Sequence, residues 1–148
     1  MSIVASLVTC AIAPDVCAGD LIIKDSGRSV RETGDALVSG IAAKGLTVFA
    51  RVDHAAGAAS AGLSLDPSEV VIFGNPKVGT PLMQASPTVG LDLPMRVLIW
   101  QDKGGAVKIG YLDPAKLKER HSIVGQDAVI GQMTSALDGL TSAAAGAR

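Results

Sequence analysis

Five short apolar runs, each bounded by turn residues, most constrain what this chain can fold into. They are too short for typical helices and rich in β-branched side chains, which predicts strands. The runs cover residues 21–23, 46–52, 70–73, 95–100 and 106–112. Gly104 and Gly105 lie between the last two runs and predict a hairpin, so at least part of the sheet is expected to be antiparallel.

A capping box marks the clearest helix of the sequence. Ser29 and Glu32 have the spacing at which each side chain bonds the backbone N–H of the other residue. Four residues then share one face at helical spacing: Val30, Gly34, Leu37 and Ile41. Gly45 is placed to end this helix in a left-handed conformation. A second apolar stripe predicts a helix over residues 127–141, whereas the small residues of segment 55–63 predict either a helix or a mobile loop.

Two further helix starts show a capping residue followed by proline. Thr80 and Pro81 predict a helix that begins at Thr80, and Pro87 is expected to end or kink it. Asp113 and Pro114 repeat the pattern before a short helix. The order of strands and helices predicts a single α+β domain, in which helices pack on a mainly antiparallel sheet of four to five strands.

Length, charge and histidine content exclude several classes of function. With 148 residues the chain has room for one domain of ordinary size. Its net charge of -1 gives no electrostatic footprint for nucleic acid or an anionic membrane, so we expect no nucleic-acid partner. The apolar run of residues 3–13 is shorter than the ~20 residues that a membrane span needs. His54 and His121 are far apart in sequence, and we expect no metal site and no cofactor.

The N-terminal segment bears on the compartment of the protein. Residues 1–18 contain both cysteines, Cys10 and Cys17, and have the apolar run and small residues of a secretory signal peptide, although the positive n-region is missing. Such a signal would place a domain of residues 19–148 in the periplasm or outside the cell. A disordered leader or a first strand is the alternative, and the location is then cytoplasmic.

The densest polar cluster of the sequence follows the third apolar run. Asn75, Lys77 and Thr80 lie between a predicted strand and a predicted helix, where folds often carry binding groups. A helix N-terminus at Thr80 beside Lys77 would favour a small anion such as a carboxylate or phosphate. The alternative is structural, with a turn at Asn75, a cap at Thr80 and a solvated Lys77. Leu82 and Met83 are expected to pack in the core.

A carboxylate and an imidazole adjoin at the end of the second run. Asp53 and His54 can serve general acid–base catalysis, and the alternative is a histidine that bonds backbone where the strand ends. If the second and third strands run in the same direction, His54 and Lys77 meet at one edge of the sheet. We therefore expect one ligand site whose mouth is formed by His54, Asn75, Lys77 and Thr80.

A long string in the second half of the chain resembles a known family. The string VIFGNPKVGTPLMQASPTVGLDLPMRVLIWQD ends at Asp102 and is flanked by VFARVDHAAGAASAGL and YLDPAKLKERH. Together they closely resemble the DUF302 family, bacterial proteins of unknown function, over residues 21–121. Met95 and Gly110 depart from the usual pattern. The resemblance implies the TT1751-type fold, a curved antiparallel sheet carrying helices that is grouped with TBP-like folds, and it implies a homodimer.

Three functions remain open on these observations. The first is a small-ligand-binding module that takes an organic acid, an anion or an apolar molecule in a partly apolar cleft. The second is a homodimeric structural or interaction protein without a ligand. The third is an enzyme that uses Asp53 and His54, which the sequence favours less than binding. The resemblance does not decide among them, because no reaction is established for the family.

Overall fold

Five strands and five helices make up residues 18–146, the part of the chain that this computed structural model describes. The strands are β1 (Leu21–Ser26), β2 (Thr47–Asp53), β3 (Ser68–Gly74), β4 (Met95–Gln101) and β5 (Val107–Leu112). The helices are α1 (Val30–Ala43), α2 (His54–Ser60), α3 (Pro76–Ala85), α4 (Leu117–His121) and α5 (Asp127–Ala145). Short 3-10 turns cover Ala18–Asp20, Pro87–Leu91 and Pro114–Lys116. The predicted signal peptide lies, except for its last residue, outside the described residues.

The five strands form one open sheet in the order β1-β5-β4-β3-β2, and all neighbours are antiparallel. The predicted α+β class and the predicted hairpin between β4 and β5 are confirmed. β2 and β3 are also antiparallel, with Asp53 opposite Glu69 and Thr47 opposite Gly74. The parallel arrangement that the predicted meeting of His54 and Lys77 requires is therefore absent. The connection is long enough for a crossover, but it contains only the short α2 and returns the chain directly beside β2.

One face of the sheet is buried beneath α1 and α5. The strand residues at its centre are fully buried: Val71, Phe73, Val97, Ile99 and Ile109. The helix residues that pack on them include Leu37, Ile41, Leu137 and Leu140. These residues belong to the apolar stripes of the two predicted helices, so the helical periodicity of the sequence identifies the face of each helix that packs on the sheet.

The opposite face of the sheet, which we call the outer face, is apolar and is not covered by any helix of the described chain. Five of its large side chains are 36–48% exposed: Leu21, Ile23, Val52, Leu98 and Leu112. Trp100 lies on this face above Gly110, where an added Cβ would be 3.2 Å from the indole Cζ3. Antiparallel sheets with one solvated face normally carry polar residues there, so this face departs from the usual alternation.

The capping box at the start of α1 forms as predicted. The Ser29 hydroxyl accepts a hydrogen bond from the Glu32 backbone N–H at 3.3 Å, and the Glu32 carboxylate accepts one from the Ser29 N–H at 3.0 Å. At the other end, Gly45 has φ +68°, the left-handed conformation expected of a residue that follows a helix. Both ends of this helix could therefore be predicted from local sequence.

The start of α3 differs from the prediction. Asn75 is the N-cap, and its side-chain oxygen accepts a hydrogen bond from the Lys77 N–H at 2.9 Å. Pro76 is the first helical residue, and Thr80 and Pro81 lie inside the helix. Asn75 and Pro76 are themselves a capping residue followed by proline, about one turn earlier, and the chain enters α3 directly from β3. The helix ends at Ala85, before Pro87, as predicted.

A second, smaller core lies at the end of the sheet where α3 begins. Its buried residues come from α3, the Pro87–Leu91 turn, α4, the connection after α4 and the first half of α5: Leu82, Val89, Leu117, Ile123, Ile130 and Met133. Met95, the first residue of β4, packs against both cores. This core thus holds α3, α4 and the Pro87–Leu91 turn together at one end of the sheet.

A buried ion pair requires a glycine in the middle of α1. The Glu69 carboxylate is held by the Arg51 guanidinium through bonds of 2.9 and 3.1 Å, and Arg51 also donates to Asp35 at 2.6 Å. A Cβ on Gly34 would lie 1.7 Å from the Glu69 Oε1 and 2.7 Å from the Arg51 guanidinium. Gly34 therefore leaves the space in which the carboxylate meets α1.

We expect Gly34→Ala to destabilise the domain by ~2 kcal/mol or more, because the methyl group displaces a buried carboxylate from its partner. The matched control is Gly139→Ala in α5, where an added Cβ meets no atom within 4 Å. This control should stabilise by ~0.5–1 kcal/mol through helix propensity. Urea unfolding followed by circular dichroism measures both, and equal effects of the two substitutions would contradict the steric argument.

Candidate functional site

An apolar cleft of about 280 Å³ lies between α3 and the end of the sheet where β3 ends and β4 begins. Phe49, Val78, Leu93 and Pro94 form much of its wall. A dry apolar cavity of ~150 Å³ holds one benzene ring, so this cleft has room for a larger molecule. Its volume lies just below the ~300–1,000 Å³ that is typical of ligand sites.

Two polar side chains, Asn75 and Thr80, lie among the residues that line the cleft. Because the Asn75 oxygen caps α3, the groups that this side chain can offer a ligand are the two N–H bonds of its amide. The Thr80 hydroxyl, on an exposed residue, can donate or accept. The cleft therefore suits a molecule with an apolar body and a hydrogen-bond acceptor.

All three methionines of the described chain line this cleft: Met83, Met95 and Met133. Met133 is 3% exposed, whereas Met83 is 39% exposed and belongs to the open wall rather than to the core. The expectation that Met83 packs in the core is thus wrong, while Leu82 beside it is fully buried as predicted. Methionine side chains are flexible and polarizable, and they adapt to ligands of different shape.

Two glycines leave the space that the cleft occupies. A Cβ on Gly74 would lie 3.5 Å from the ring of Phe49, which stands at an irregularity in the pairing of β2 with β3. A Cβ on Gly79 would lie 3.6 Å from Leu93 and 3.7 Å from Met83. These are ordinary contact distances, so a longer side chain at either position would extend into the cleft without displacing backbone.

The predicted site residues do not all meet. Asn75 and Thr80 line the cleft, while Lys77 is exposed on the first turn of α3 and is not part of the lining. His54 begins α2, and the antiparallel pairing of β2 and β3 puts the starts of α2 and α3 at opposite ends of the sheet. The predicted composite mouth, with His54 beside Asn75 and Lys77, is therefore wrong.

Asp53 and His54, the residues predicted for acid–base chemistry, adjoin in sequence but do not line one pocket. Asp53 is the N-cap of α2, and its carboxylate accepts a hydrogen bond from the Ala56 N–H at 2.8 Å. It lines an open pocket of about 470 Å³ together with Arg51 and Glu69, and His54 is not part of that pocket. Cooperation would require both side chains to reach one pocket, and the structure does not bring them together.

A charged network that the sequence did not signal lies near the cleft. The Asp92 carboxylate is 2.6 Å from the Nε2 of His121 and 2.8 Å from the Arg120 guanidinium, and the His121 Nδ1 is 3.0 Å from the Thr88 hydroxyl. Burial alone would raise the pKa of Asp92, but the hydrogen bonds and charges of Arg120 and His121 hold that pKa below its ordinary value. The network joins the Pro87–Leu91 turn to α4.

Neither a metal cluster nor a membrane helix occurs in the described part of the chain. No group of three or more His, Cys, Asp or Glu side chains within residues 18–146 is arranged to hold a metal ion. Among these same residues, no helix combines the length and the apolar character needed to cross a bilayer.

The open antiparallel sheet, with helices on one face and a cleft at its end, defines a small α+β domain of known architecture. The crystal structure of an uncharacterized conserved protein DUF302 from Bacillus stearothermophilus has the same fold, with a TM-score of 0.68 and 19% sequence identity. The match covers 87% of this chain and 98% of that one. The sequence model of the family DUF302, described as a domain of unknown function, matches residues 22–140 of this chain. The chain therefore belongs to the DUF302 family, as the resemblance of its sequence predicts.

Two curated relatives carry the name of a channel. Proteins named fluoride-specific ion channel FluC 1, from Brucella suis and Brucella abortus, are 46% identical to this chain over 127 residues. The match covers 85% of this chain but only 50% and 47% of those two proteins. The chain thus spans about half the length of the curated relatives it matches.

We expect Asp92→Asn to lower the free energy of unfolding near neutral pH by ~1–3 kcal/mol, because it weakens hydrogen bonds to the buried His121 ring and to Arg120, whose side chain is 33% exposed. The pKa of Asp92 is lowered in the folded protein, so this contribution is present above the unfolded pKa near ~3.9 and is lost as the pH falls below it. The difference in the free energy of unfolding between variant and wild type should therefore narrow as the pH falls from ~7 to ~3.

Urea unfolding at several pH values measures this gap. The control is Asp66→Asn, whose carboxylate pairs with Lys103 in an exposed salt bridge and should contribute little at any pH. A gap for Asp92→Asn that stays constant down to acidic pH would contradict the assignment.

Proposed function

We propose that this DUF302 protein is a small-molecule-binding module and that its site is the cleft between α3 and the end of the sheet. The observation that carries the proposal is the composition of the cleft, whose walls are apolar except for Asn75 and Thr80. Binding sites for small molecules commonly combine such walls with a few polar groups that orient the ligand.

The string by which the sequence resembles the family also builds the cleft. Gly74 leaves its space, Asn75 and Pro76 start the helix beside it, and Gly79 and Met83 form the wall on that helix. Each of these residues has a structural role, and their shared product is the cleft. This coincidence supports binding as the function of the segment, over a role in stability alone.

The chemistry of the lining sets the class of ligand. An apolar body can be buried against Phe49, Leu93 and the methionines, and an acceptor such as a carbonyl, hydroxyl or carboxylate can meet the Asn75 amide or the Thr80 hydroxyl.

Filling the cleft tests this function. Octanoate, benzoate and indole are added to the wild-type protein in a thermal-denaturation screen, and at least one should raise the melting temperature. Gly79→Leu should abolish that rise while it keeps the fold, because the new side chain extends past Leu93 and Met83 into the cleft. The matched control is Gly139→Leu, which makes the same change on α5 in open space and should keep the rise.

Two outcomes would overturn the proposal. One is that none of the probes stabilises the wild-type protein. The other is that a folded Gly79→Leu variant responds to them as the control does, which would place any binding outside the cleft. Circular dichroism of each variant establishes that its fold is retained.

The outer face of the sheet favours a second function, self-association. Its exposed apolar side chains lie on four strands and form a contiguous surface, and such surfaces on soluble proteins commonly mark interfaces. We propose that a second copy of this chain covers it, with the two sheets stacked face to face.

The size of the outer face is compatible with a dimer. Five strands spaced ~4.8 Å apart and about six residues long, at ~3.4 Å per residue, cover roughly 500 Å². Two copies would then bury roughly 1,000 Å² in total, the area near which biological interfaces begin. The few charges of the face do not oppose the pairing, because Asp25 and Lys108 form a salt bridge with each other and Arg96 lies 3.8 Å from Asp92.

A charge on the outer face tests the dimer. Leu98, on β4, is 36% exposed at the middle of the face, and we expect Leu98→Lys to convert a dimer into a monomer in sedimentation analysis. Leu63→Lys, in the exposed segment after α2, is the control and should leave the mass unchanged. A wild-type protein that sediments as a monomer at high concentration would contradict this function and leave the cleft proposal untouched.

A further inference from the structure

We infer that the ligand of the cleft carries an unbranched aliphatic chain, and that Met95 and Met133 are a movable partition that lets the chain extend into neighbouring cavities. The inference rests on the proposed binding function and names the class of ligand. It depends on the position of the Met95 and Met133 side chains among three cavities, a feature that the binding proposal does not require.

Three cavities meet at Met95 and Met133. The first is the cleft itself. The second has a volume of about 110 Å³ and lies toward Leu46 and Ala136. The third, toward Leu117, has a volume of only about 50 Å³ and is lined in part by charged side chains, so the second is the one that suits an aliphatic chain. Both methionines belong to the wall of all three. A rotation of either side chain therefore changes how the cavities communicate.

The partition consists of side chains that can move. Met95 comes from the first position of β4 and Met133 from the first half of α5, so each is fixed at its backbone by an ordered element. Beyond the backbone, a methionine has three rotatable side-chain bonds and is unbranched, which makes it the most adaptable apolar residue of a core. The backbone need not move for the side chains to separate.

The shape of the joined space selects the ligand. The second cavity alone is smaller than the ~150 Å³ that holds a benzene ring, so it is of use to a ligand only as an extension of the cleft. The cleft and this cavity share four lining residues, Asn75, Val78, Met95 and Met133, so a passage between them is bounded by side chains and admits a slender chain more readily than a ring. It is apolar apart from Asn75 and Gln132, which suits CH₂ groups.

The polar end of such a ligand has a defined place. Asn75 borders both the cleft and the second cavity, and Thr80 borders the cleft only. A head group at Thr80 would leave the chain to run past Asn75 and Val78 toward the methionines. A long-chain carboxylate or alcohol, with its head at the exposed end, has this arrangement of polar and apolar parts.

A series of chain lengths tests the inference. Calorimetric titration of the wild-type protein with hexanoate, octanoate, decanoate and dodecanoate should show binding that tightens by about fourfold for each buried CH₂ group, and the gain should continue to the longest member. Indole is titrated in parallel as a short apolar probe that needs only the cleft.

Variants of the partition separate its role from that of the cleft. Met95→Ile keeps a similar volume and suits a strand, but it replaces a flexible side chain with a stiff one, so affinity should stop rising after the short members. Met133→Phe fills the partition and should act in the same way. The control is Leu91→Ile, at a residue that is 80% exposed and lines none of the three cavities, and it should keep both the affinity and the dependence on chain length.

The outcomes distinguish the two proposals. If indole or hexanoate binds but longer chains gain nothing in the wild-type protein, the inference is wrong and the binding function stands. If neither indole nor any carboxylate binds, the binding function fails as well. If the dependence on chain length is the same in Met95→Ile, Met133→Phe and wild type, the methionines are not the partition.

Discussion

The burial of one sheet face beneath α1 and α5 is the interaction on which the rest of this structure depends. It uses the two long helices of the described chain and encloses the fully buried apolar residues of the three central strands. The remaining helices are short, so they cannot cover the other face. Two of them, α3 and α4, lie at one end of the sheet, where they form a small core with the first half of α5. The cleft is the space left where this second core meets the sheet, and the outer face stays uncovered for the same reason.

Much of this fold could be predicted from local sequence. The strands, the hairpin at Gly104 and the capping box at Ser29 depend on neighbours in the chain, and the structure has them where the sequence predicts. The sequence alone could not decide where α3 begins, because Asn75–Pro76 and Thr80–Pro81 each consist of a capping residue followed by proline. The sequence alone could not decide the direction of β3 relative to β2 either. The connection is long enough for both the parallel and the antiparallel arrangement, and tertiary packing determines which one forms.

The site was predictable only in part, and the reason is again physical. Asn75 and Thr80 were signalled by their polarity beside apolar elements, and both line the cleft. Phe49, Met95 and Met133 are ordinary apolar residues in the sequence, and their meeting depends on how β2, β4 and α5 converge. Gly34 shows the same limit, because helical spacing places it on the buried face while the carboxylate that requires it lies on a distant strand. A sequence pattern in one segment does not show which side chains of other segments pack against it.

The position of Trp100 above Gly110 has a consequence for how the protein can be observed. Trp100 is the one tryptophan of the chain, and its indole lies on the outer face while the cleft is at the end of the sheet. Its fluorescence therefore responds to whether the outer face is exposed to solvent or covered. A blue shift of the emission with rising protein concentration would follow the stacking of two sheets, whereas a molecule that enters the cleft would leave the spectrum nearly unchanged. The fold thus carries an optical reporter that separates association from ligand binding without any label.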